Sequence, residues 1–518
     1  MTARLLWVDD EIDLLRAHIL FLQKRDYEVL TASNGNDALD IVRQTDLDLI
    51  LLDENMPGLS GLETLDRIKD LRPAVPVVMV TKNEAEDLME QAIGAKIADY
   101  LIKPVNPLQV LLSLKKNIHE REIRQEQTAE AYRQDFMNIS SRISEGLSFE
   151  EWKELYKRLV RWELELSEAE TADNPMSEML RMQKEEANRA FARYVQRNYE
   201  TWVGSPDRPT LSPDIFKTHV FSRLSQGKKV FLLVLDNFRF DQWRVLSADL
   251  ADDFDMEEDL YCSILPTATQ YARNALFAGL MPRQIKEMYP DLWVEEEEDE
   301  SKNLNEAELI RLQLERFRRR EAFTYHKLND SQAADRLLSS WGNQIHGEPL
   351  HILVVNFIDI LSHARTESQM VRELASTEAA YRSITQSWFR HTAIKDLFRQ
   401  LAGQDYEILI TTDHGSIRVS EPTRVVGDRN VNTNLRYKLG KNLQYAAKEV
   451  YECRQPARLG LPQPNLSTAY IFALGDRFFA YPNNYNYYVQ YYRNTFQHGG
   501  ISLEEMLIPL VTLRPKKR

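Results

Sequence analysis

The chain has 518 residues, 43% of them hydrophobic, and its 79 acidic against 65 basic side chains leave a net charge of −14. That length suggests several domains, and the acidic balance, with a pI near 5.4, disfavours duplex DNA as a partner because DNA-binding domains are typically basic. Cys262 and Cys453 lack metal-ligand spacing and read as reduced, buried thiols; with no signal peptide and no apolar run of the ~20 residues that span a bilayer, a cytoplasmic protein without a membrane span is expected.

Over the first 120 residues or so, strand and helix patterns alternate, and strand after strand ends in a polar group. Arg4 to Glu11 runs from apolar residues into Asp9 and Asp10, and Leu47 to Asp53 ends in an acid. Val75 to Thr81 ends in a hydroxyl, and Tyr100 to Pro104 contains Lys103. Short apolar runs of this kind read as buried strands of a parallel sheet, whose ligands gather beyond the carboxyl ends. Asp9, Asp10 and Asp53 then make an acidic pocket for Mg²⁺, a hard cation that prefers oxygen. Taken singly, Asp9 and Asp10 are a solvated strand end and Asp53 a helix cap; four strand ends with a suitable group each outweigh that. This stretch resembles the receiver domain of response regulators, a flavodoxin-like doubly wound α/β fold. The resemblance implies that Asp53 is the phospho-acceptor and that the Asn55 carbonyl completes the Mg²⁺ site. It also implies that Thr81 and Lys103 bond the phosphoryl oxygens, that Tyr100 is the switch aromatic, that the Lys103–Pro104 peptide is cis, and that a sensor histidine kinase is the partner.

From about Leu108 to Trp202 the pattern is helical. Phe149, Trp152, Leu155, Tyr156, Leu159, Trp162 and Leu166 recur at spacings of three and four, the stripe of a helix packed on others. A bundle of two to four helices is expected over 121–204. A charged helix through Leu111–Tyr132 leaves the first domain directly, as a lever or as a rigid spacer. Gly204 to Pro209 reads as a linker into a third domain, 205–518.

In that third domain the run Lys229 to Leu235 stops at Asp236, the run from His351 stops at Asp359, and the run from Tyr406 stops at Asp413, His414 and Gly415. Three strand ends bring three acids and two histidines into one crevice. Asp359 and His363 are four apart, so a helical turn puts both on one face. Carboxylate and imidazole donors suit zinc, or less specifically manganese. Two such ions clamp the attacking and leaving oxygens of a displacement at phosphorus and make a threonine a usable nucleophile. Thr269 is preferred to Thr267 because it opens a helix expected over Gln270–Gly279, whose N-terminus offers N–H groups to phosphoryl oxygens. Arg273, one turn on, is placed to help neutralise the phosphate. Each residue alone has a structural reading as turn, cap or loop residue; order, type and strand-end position together reverse it.

Asp236, the segment Pro266 to Asn274, Asp359 with His363, Asp413-His414-Gly415 and a late His498-Gly499-Gly500 resemble the PglZ-type branch of the alkaline phosphatase superfamily. The resemblance implies a C-terminal α/β domain holding two Zn²⁺. Asp236, Thr269, Asp413 and His414 would serve one ion and Asp359, His363 and His498 the other, with bridging left open. A threonine nucleophile argues against sulfate esters and hints at phosphodiesters. Six tyrosines between Tyr481 and Tyr492 either stack the bases of a nucleotide or oligonucleotide substrate or, by preference, pack on the sheet. Glu295 to Glu300 reads as a solvated loop. Receiver, helical bundle and phosphatase-like domain together resemble PorX-type regulators, which implies a link to control of type IX secretion and a phosphorylation-dependent homodimer. Two rivals stand beside a phosphodiesterase. One is a phosphorylation-gated adaptor binding a sigma factor or a membrane or secretion-system partner, with structural zinc; the other is a phosphomonoesterase or phosphomutase.

Overall fold

The computed structural model describes residues 3–82, 97–168, 175–295, 303–329, 347–367, 377–427, 432–465 and 467–516. Five strands near the N-terminus, β1 (Ala3–Val8), β2 (Tyr27–Ala32), β3 (Leu49–Asp53), β4 (Val77–Thr81) and β5 (Asp99–Ile102), pair in the order β2-β1-β3-β4-β5. Every pair is parallel. The period of two sends Leu6 and Val8 to one face and Leu5 and Trp7 to the other. The first face packs on Ala38, Leu39 and Val42 of α2 (Gly35–Gln44) and on Leu65 and Ile68 of α3 (Gly61–Leu71). The second packs on Leu22 of α1 (Arg16–Gln23) and on Val110, Leu111 and Leu114 of α4 (Pro107–Glu145). Both faces are covered, which is why these strands read as unbroken apolar runs. The strand order reverses direction between β1 and β3, the place where such sheets bind ligands.

Among the described residues the helical middle has three helices, α4, α5 (Phe149–Glu168) and α6 (Pro175–Gly204), within the expected two to four. The helix expected over Leu111–Tyr132 continues to Glu145, so a boundary near residue 120 falls inside one helix. By packing, the chain divides into Met1–Asn138 with Trp162–Glu178, and Ile139–Arg161 with Met179–Arg518. Parts of the three helices fall in each unit. In the first unit the Tyr132 and Trp162 rings lie 5.5 Å apart, and the Trp162 indole N–H donates to Asp135 at 2.6 Å. In the second, Trp152 meets Phe191 edge-on at 5.4 Å and Phe149 meets Trp202 at 5.7 Å. These helical segments also touch the C-terminal domain: Leu265 N–H donates to the Tyr199 hydroxyl oxygen at 2.8 Å, and Lys153 Nζ stands 2.7 Å from Asp259. The expected linker after Gly204 is an ordered turn tied by the 2.7 Å pair of Arg208 with Asp214.

The C-terminal domain is built on β6 (Lys229–Leu235), β7 (Phe254–Cys262), β8 (Phe323–Leu328), β9 (Leu350–Val355), β10 (Tyr406–Thr411) and β11 (Leu507–Pro515), in the order β7-β11-β10-β6-β9-β8. β10, β6 and β9 are parallel, as expected, and β8, which was not foreseen, continues them in parallel. β11 runs antiparallel to both its neighbours, so the sheet is mixed. An apolar run carries no sign of its direction. β6, β9 and β10 lie together inside the sheet, so their carboxyl ends deliver Asp236, the turn before Asp359 and the Asp413 loop to one edge.

Candidate metal centres

At the switch point of the N-terminal sheet, Asp9 and Asp53 are buried, Asp10 is exposed, and oxygens of all three lie within 4.8 Å of one another. Lys103 Nζ stands 2.8 Å from Asp9 Oδ2 and 2.9 Å from Asp53 Oδ2. Burial raises the Asp53 carboxyl above its ordinary range, an effect that Lys103 only partly offsets. Asp53 Oδ1 is buried and accepts no hydrogen bond among the described residues. The Lys103–Pro104 peptide is cis, as the resemblance implied. The Thr81 hydroxyl donates to the Glu54 carboxylate. Tyr100 is 39% exposed at the end of β5, and Asn55 is exposed in the loop after β3.

In the C-terminal domain two triads of nitrogen and oxygen donors form, each with atoms within 4.8 Å: Asp236, Asp413 and His414, and Asp359, His363 and His498. Asp236 is held at the end of β6 by its N–H on Val355 O at 2.9 Å. Asp359 and His363 share one face of α9, the helix Phe357–Glu367, with 3.4 Å between His363 Nε2 and Asp359 Oδ2. His498 Nε2 is 3.7 Å from Asp359 Oδ1. His414 Nε2 is 3.8 Å from both Asp236 Oδ1 and Asp413 Oδ2. The rings of His414 and His498 stack at 4.2 Å, so the triads are neighbours.

The tautomers follow from the partners. His414 Nδ1 lies 3.1 Å from the Gly415 carbonyl and His498 Nδ1 3.1 Å from the Thr267 carbonyl. Each Nδ1 therefore carries the hydrogen, and each Nε2 turns a lone pair toward carboxylates, the outer-partner arrangement of metal-binding histidines. Burial pushes both imidazoles down, His498 to about 4, which keeps them neutral near pH 7. Burial and the Asp236 charge push Asp413 and Asp359 up. For Asp236, burial is outweighed chiefly by the Arg273 guanidinium, whose charge and hydrogen bond hold its carboxyl low. Asp413 Oδ2 is buried without a hydrogen bond among the described residues. Carboxylate oxygens and imidazole lone pairs thus crowd together, with the Thr269 hydroxyl among them. Ligands about 2.1 Å from a tetrahedral ion stand about 3.4 Å apart, close to the separations here, so the donor set fits a divalent cation in each triad.

Thr269 is the first residue of α7, the helix Thr269–Ala278, which ends as expected at a left-handed Gly279 (φ 59°). Its Oγ1 lies 3.0 Å from His414 Nε2 and 3.4 Å from Asp236 Oδ1. Thr267 is occupied elsewhere: its Oγ1 accepts from Gly499 N at 3.0 Å and donates to Gly500 O at 2.9 Å. Arg273 donates from Nη1 to Asp236 Oδ2 at 2.8 Å and from Nε to Glu306 Oε1 at 2.6 Å, so the guanidinium braces these carboxylates from within the domain. Glu306, at the start of α8 (Glu306–Arg316), also accepts from Lys327 at 3.0 Å and from the Tyr325 hydroxyl. Asn237 was missed by sequence reasoning. It adopts φ 61°, its amide donates to Asp359 Oδ1 at 3.2 Å, and its N–H faces Asp413 Oδ1 at 3.5 Å, bridging the triads. The only signal was the tolerance of Asn for the left-handed region after a strand-end acid. The tyrosines divide. In α10 (Tyr485–Tyr492), Tyr485 and Tyr492 pack on Ile417, Val419 and Phe478, while Tyr487 is 62% exposed. Of the acidic run from Glu295, residues 296–302 lie outside the described residues.

A receiver-type sheet with three acids at its switch point, followed by an α/β domain with paired donor triads, defines a response regulator whose output domain is of alkaline-phosphatase type. The model of the BREX system PglZ alkaline phosphatase-like domain matches residues 215–513, and the chain belongs to that family. Residues 122–203 match the PorX response regulator linker domain and residues 5–115 the response regulator receiver domain. The receiver part is similar to the transcriptional regulatory protein ResD of Bacillus subtilis, 35% identical over 112 residues that make 22% of this chain and 46% of ResD. It is also similar to the alginate biosynthesis transcriptional regulatory protein AlgB of Pseudomonas aeruginosa, 34% identical over 120 residues, 23% of this chain and 27% of AlgB. The chain thus spans less than half the length of these curated relatives. A CheY-like receiver domain protein of Methanospirillum hungatei matches with 30% identity and a TM-score of 0.23, covering 24% of this chain and 98% of that one. The receiver domain implies a histidine kinase partner, and domains of both kinds generally use divalent metals. No described helix is long and apolar enough to cross a membrane.

Proposed function

We propose that this chain is a response regulator, phosphorylated on Asp53, whose output is the hydrolysis of phosphodiesters of nucleotide type by a two-zinc centre. The observation that supports it best is the Thr269 hydroxyl at a helix N-terminus, 3.0 Å from His414 Nε2, beside two triads whose acceptors face one another. Asp236, Asp413 and His414 would hold one cation, and Asp359, His363 and His498 the other. Such cations, when bound, lower the pKa of a hydroxyl and neutralise phosphoryl oxygens. Thr269 Oγ1 would give up its proton and attack phosphorus, and one ester oxygen would leave with its bonding electrons and take up a proton as the alcohol; water would then cleave the bond from Thr269 to the phosphoryl group, which still carries the second ester, restoring the hydroxyl and releasing a phosphomonoester. The first N–H groups of α7 face the phosphoryl oxygens, and Arg273 and Asn237 keep the carboxylates in place. In the receiver, Asp9, Asp10, Asp53 and the Asn55 carbonyl would hold Mg²⁺. The PorX-type linker match supports a role in control of type IX secretion.

The test is hydrolysis of bis-p-nitrophenyl phosphate and of p-nitrophenyl phosphate with zinc, by wild type and by Thr269→Ala, with chelated controls. Zinc-dependent diester cleavage, lost in the variant, is expected. Cleavage unchanged in Thr269→Ala sinks the nucleophile assignment. No cleavage of either ester by a zinc-loaded chain moves the output to the adaptor reading.

A further inference from the structure

The two triads meet where the His414 and His498 rings stack, and the turn beneath that seam is held from outside the domain's own sheet. That turn is α11 (Leu503–Met506). A helix start leaves backbone N–H groups without partners in the helix. Here Ser502 Oγ accepts from Glu505 N at 3.1 Å, but the Leu503 N–H donates to Oδ1 of Asn188, on α6, at 2.7 Å. The Asn188 amide nitrogen in turn donates to Glu504 Oε2 at 3.0 Å, and Lys184 Nζ stands 3.3 Å from Glu504 Oε1. Asn188 is 4% exposed, so both halves of its amide are committed to α11.

From α11, direct contacts reach both histidine loops. The Glu505 carboxylate accepts from Gly500 N at 2.9 Å, two residues after His498, and Thr267 ties Gly499 and Gly500 to the carbonyl that orients His498 Nδ1. On the other side, Gly415 N donates to Glu505 O at 3.2 Å, one residue after His414.

We infer that Asn188 is a positioning residue of the metal centre: acting through α11, it sets the placement of the His414 and His498 loops relative to each other. The helical segment ahead of the phosphatase-like domain is then part of the site's scaffold, and a shift of α6 is felt as a change in metal geometry. The inference rests on the two-metal reading above. Partners behind metal ligands alter affinity by about 10- to 100-fold when removed.

The experiment titrates the full chain with zinc against a chromophoric chelator and records the visible absorption of the cobalt-substituted protein. In Asn188→Ala at least one zinc is expected to bind about 10-fold or more weakly, with a changed cobalt spectrum and an unchanged far-UV dichroism. Asn188→Asp sets two carboxylates against each other and weakens binding as well. Combined with Glu504→Gln it restores the pair in reverse, a carboxylate that accepts from Leu503 N and from a donating amide, and wild-type affinity returns. If Asn188→Ala does not fold, Asn188→Asp alone against the reversed pair supplies the comparison. Wild-type affinity and cobalt spectrum in folded Asn188→Ala overturn the inference while leaving the two-metal reading intact. A wild-type chain that takes up no zinc overturns both.

Discussion

At Gly415 there is no room for a side chain. A Cβ there would stand 2.1 Å from the carbonyl oxygen of Glu504, a backbone atom that cannot swing aside. Gly415→Ala is therefore expected to displace the His414 loop or α11, to cost more than about 3 kcal/mol, and to lower zinc affinity; urea unfolding with the chelator titration reads both, and a variant as stable as wild type defeats the argument. Arg273 supplies a second test. It is fully enclosed between Asp236 and Glu306, and removing one partner of a buried pair costs roughly 3–5 kcal/mol because the remaining charge is uncompensated. Arg273→Gln should lose that much without metal and regain part of it with zinc, whose charge then faces Asp236; unfolding midpoints with and without zinc decide. The inward partner of Arg273 was not legible in the sequence. The spacing from Thr269 pointed it toward the site, but Glu306, the partner that turns it inward, lies 33 residues on and carried no local signal. Asp359 and His363 were readable because both sit on one helix four residues apart, where geometry is local.

At the scale of elements, the three strands that carry the site were legible with their parallel sense, and β7, β8 and β11 were not. β6, β9 and β10 announce themselves as apolar runs ended by acids, and their parallel pairing follows from the helices between them. The antiparallel β11 has the same apolar character, and only its register with β10 reveals its sense. Helix ends in the middle segment were also illegible, since the charged face of α4 continues without a stop signal to Glu145. β9 carries a titration that tests its burial. His351 lies between the Thr324 hydroxyl at 2.6 Å and the Tyr406 hydroxyl at 3.1 Å, and burial pushes its pKa down to about 4. The unfolded chain takes up a proton near pH 6.5 that the folded chain refuses. The contribution is therefore present above that pH and is lost as pH falls through about 4. Between pH 7 and pH 4.5 wild type should lose on the order of 2 kcal/mol more than His351→Gln, measured by urea unfolding at both values. Equal losses would mean that His351 takes up its proton in the fold.

For the whole molecule, the question is what phosphorylation changes. Lys103 holds Asp9 and Asp53 together, while Thr81 is engaged with Glu54. A phosphoryl group on Asp53 brings about two negative charges and three strong acceptors, enough to draw Lys103 from Asp9 and to compete with Glu54 for the Thr81 hydroxyl. β5 and the start of α4 expose Ile102 at 39%, Leu108 at 58% and Leu112 at 66%, apolar surface that becomes favourable to cover once the adjoining strand ends are reordered. The expected outcome is a dimer that forms on phosphorylation. Light scattering of the 60.5 kDa chain with Mg²⁺ and acetyl phosphate should show the mass rise toward twice the monomer value, Asp53→Asn should stay at the monomer mass under the same conditions, and Leu112→Glu should accept the phosphoryl group yet fail to associate. A wild-type mass that does not move while Asp53 is phosphorylated would exclude association as the switch and leave the change within one chain.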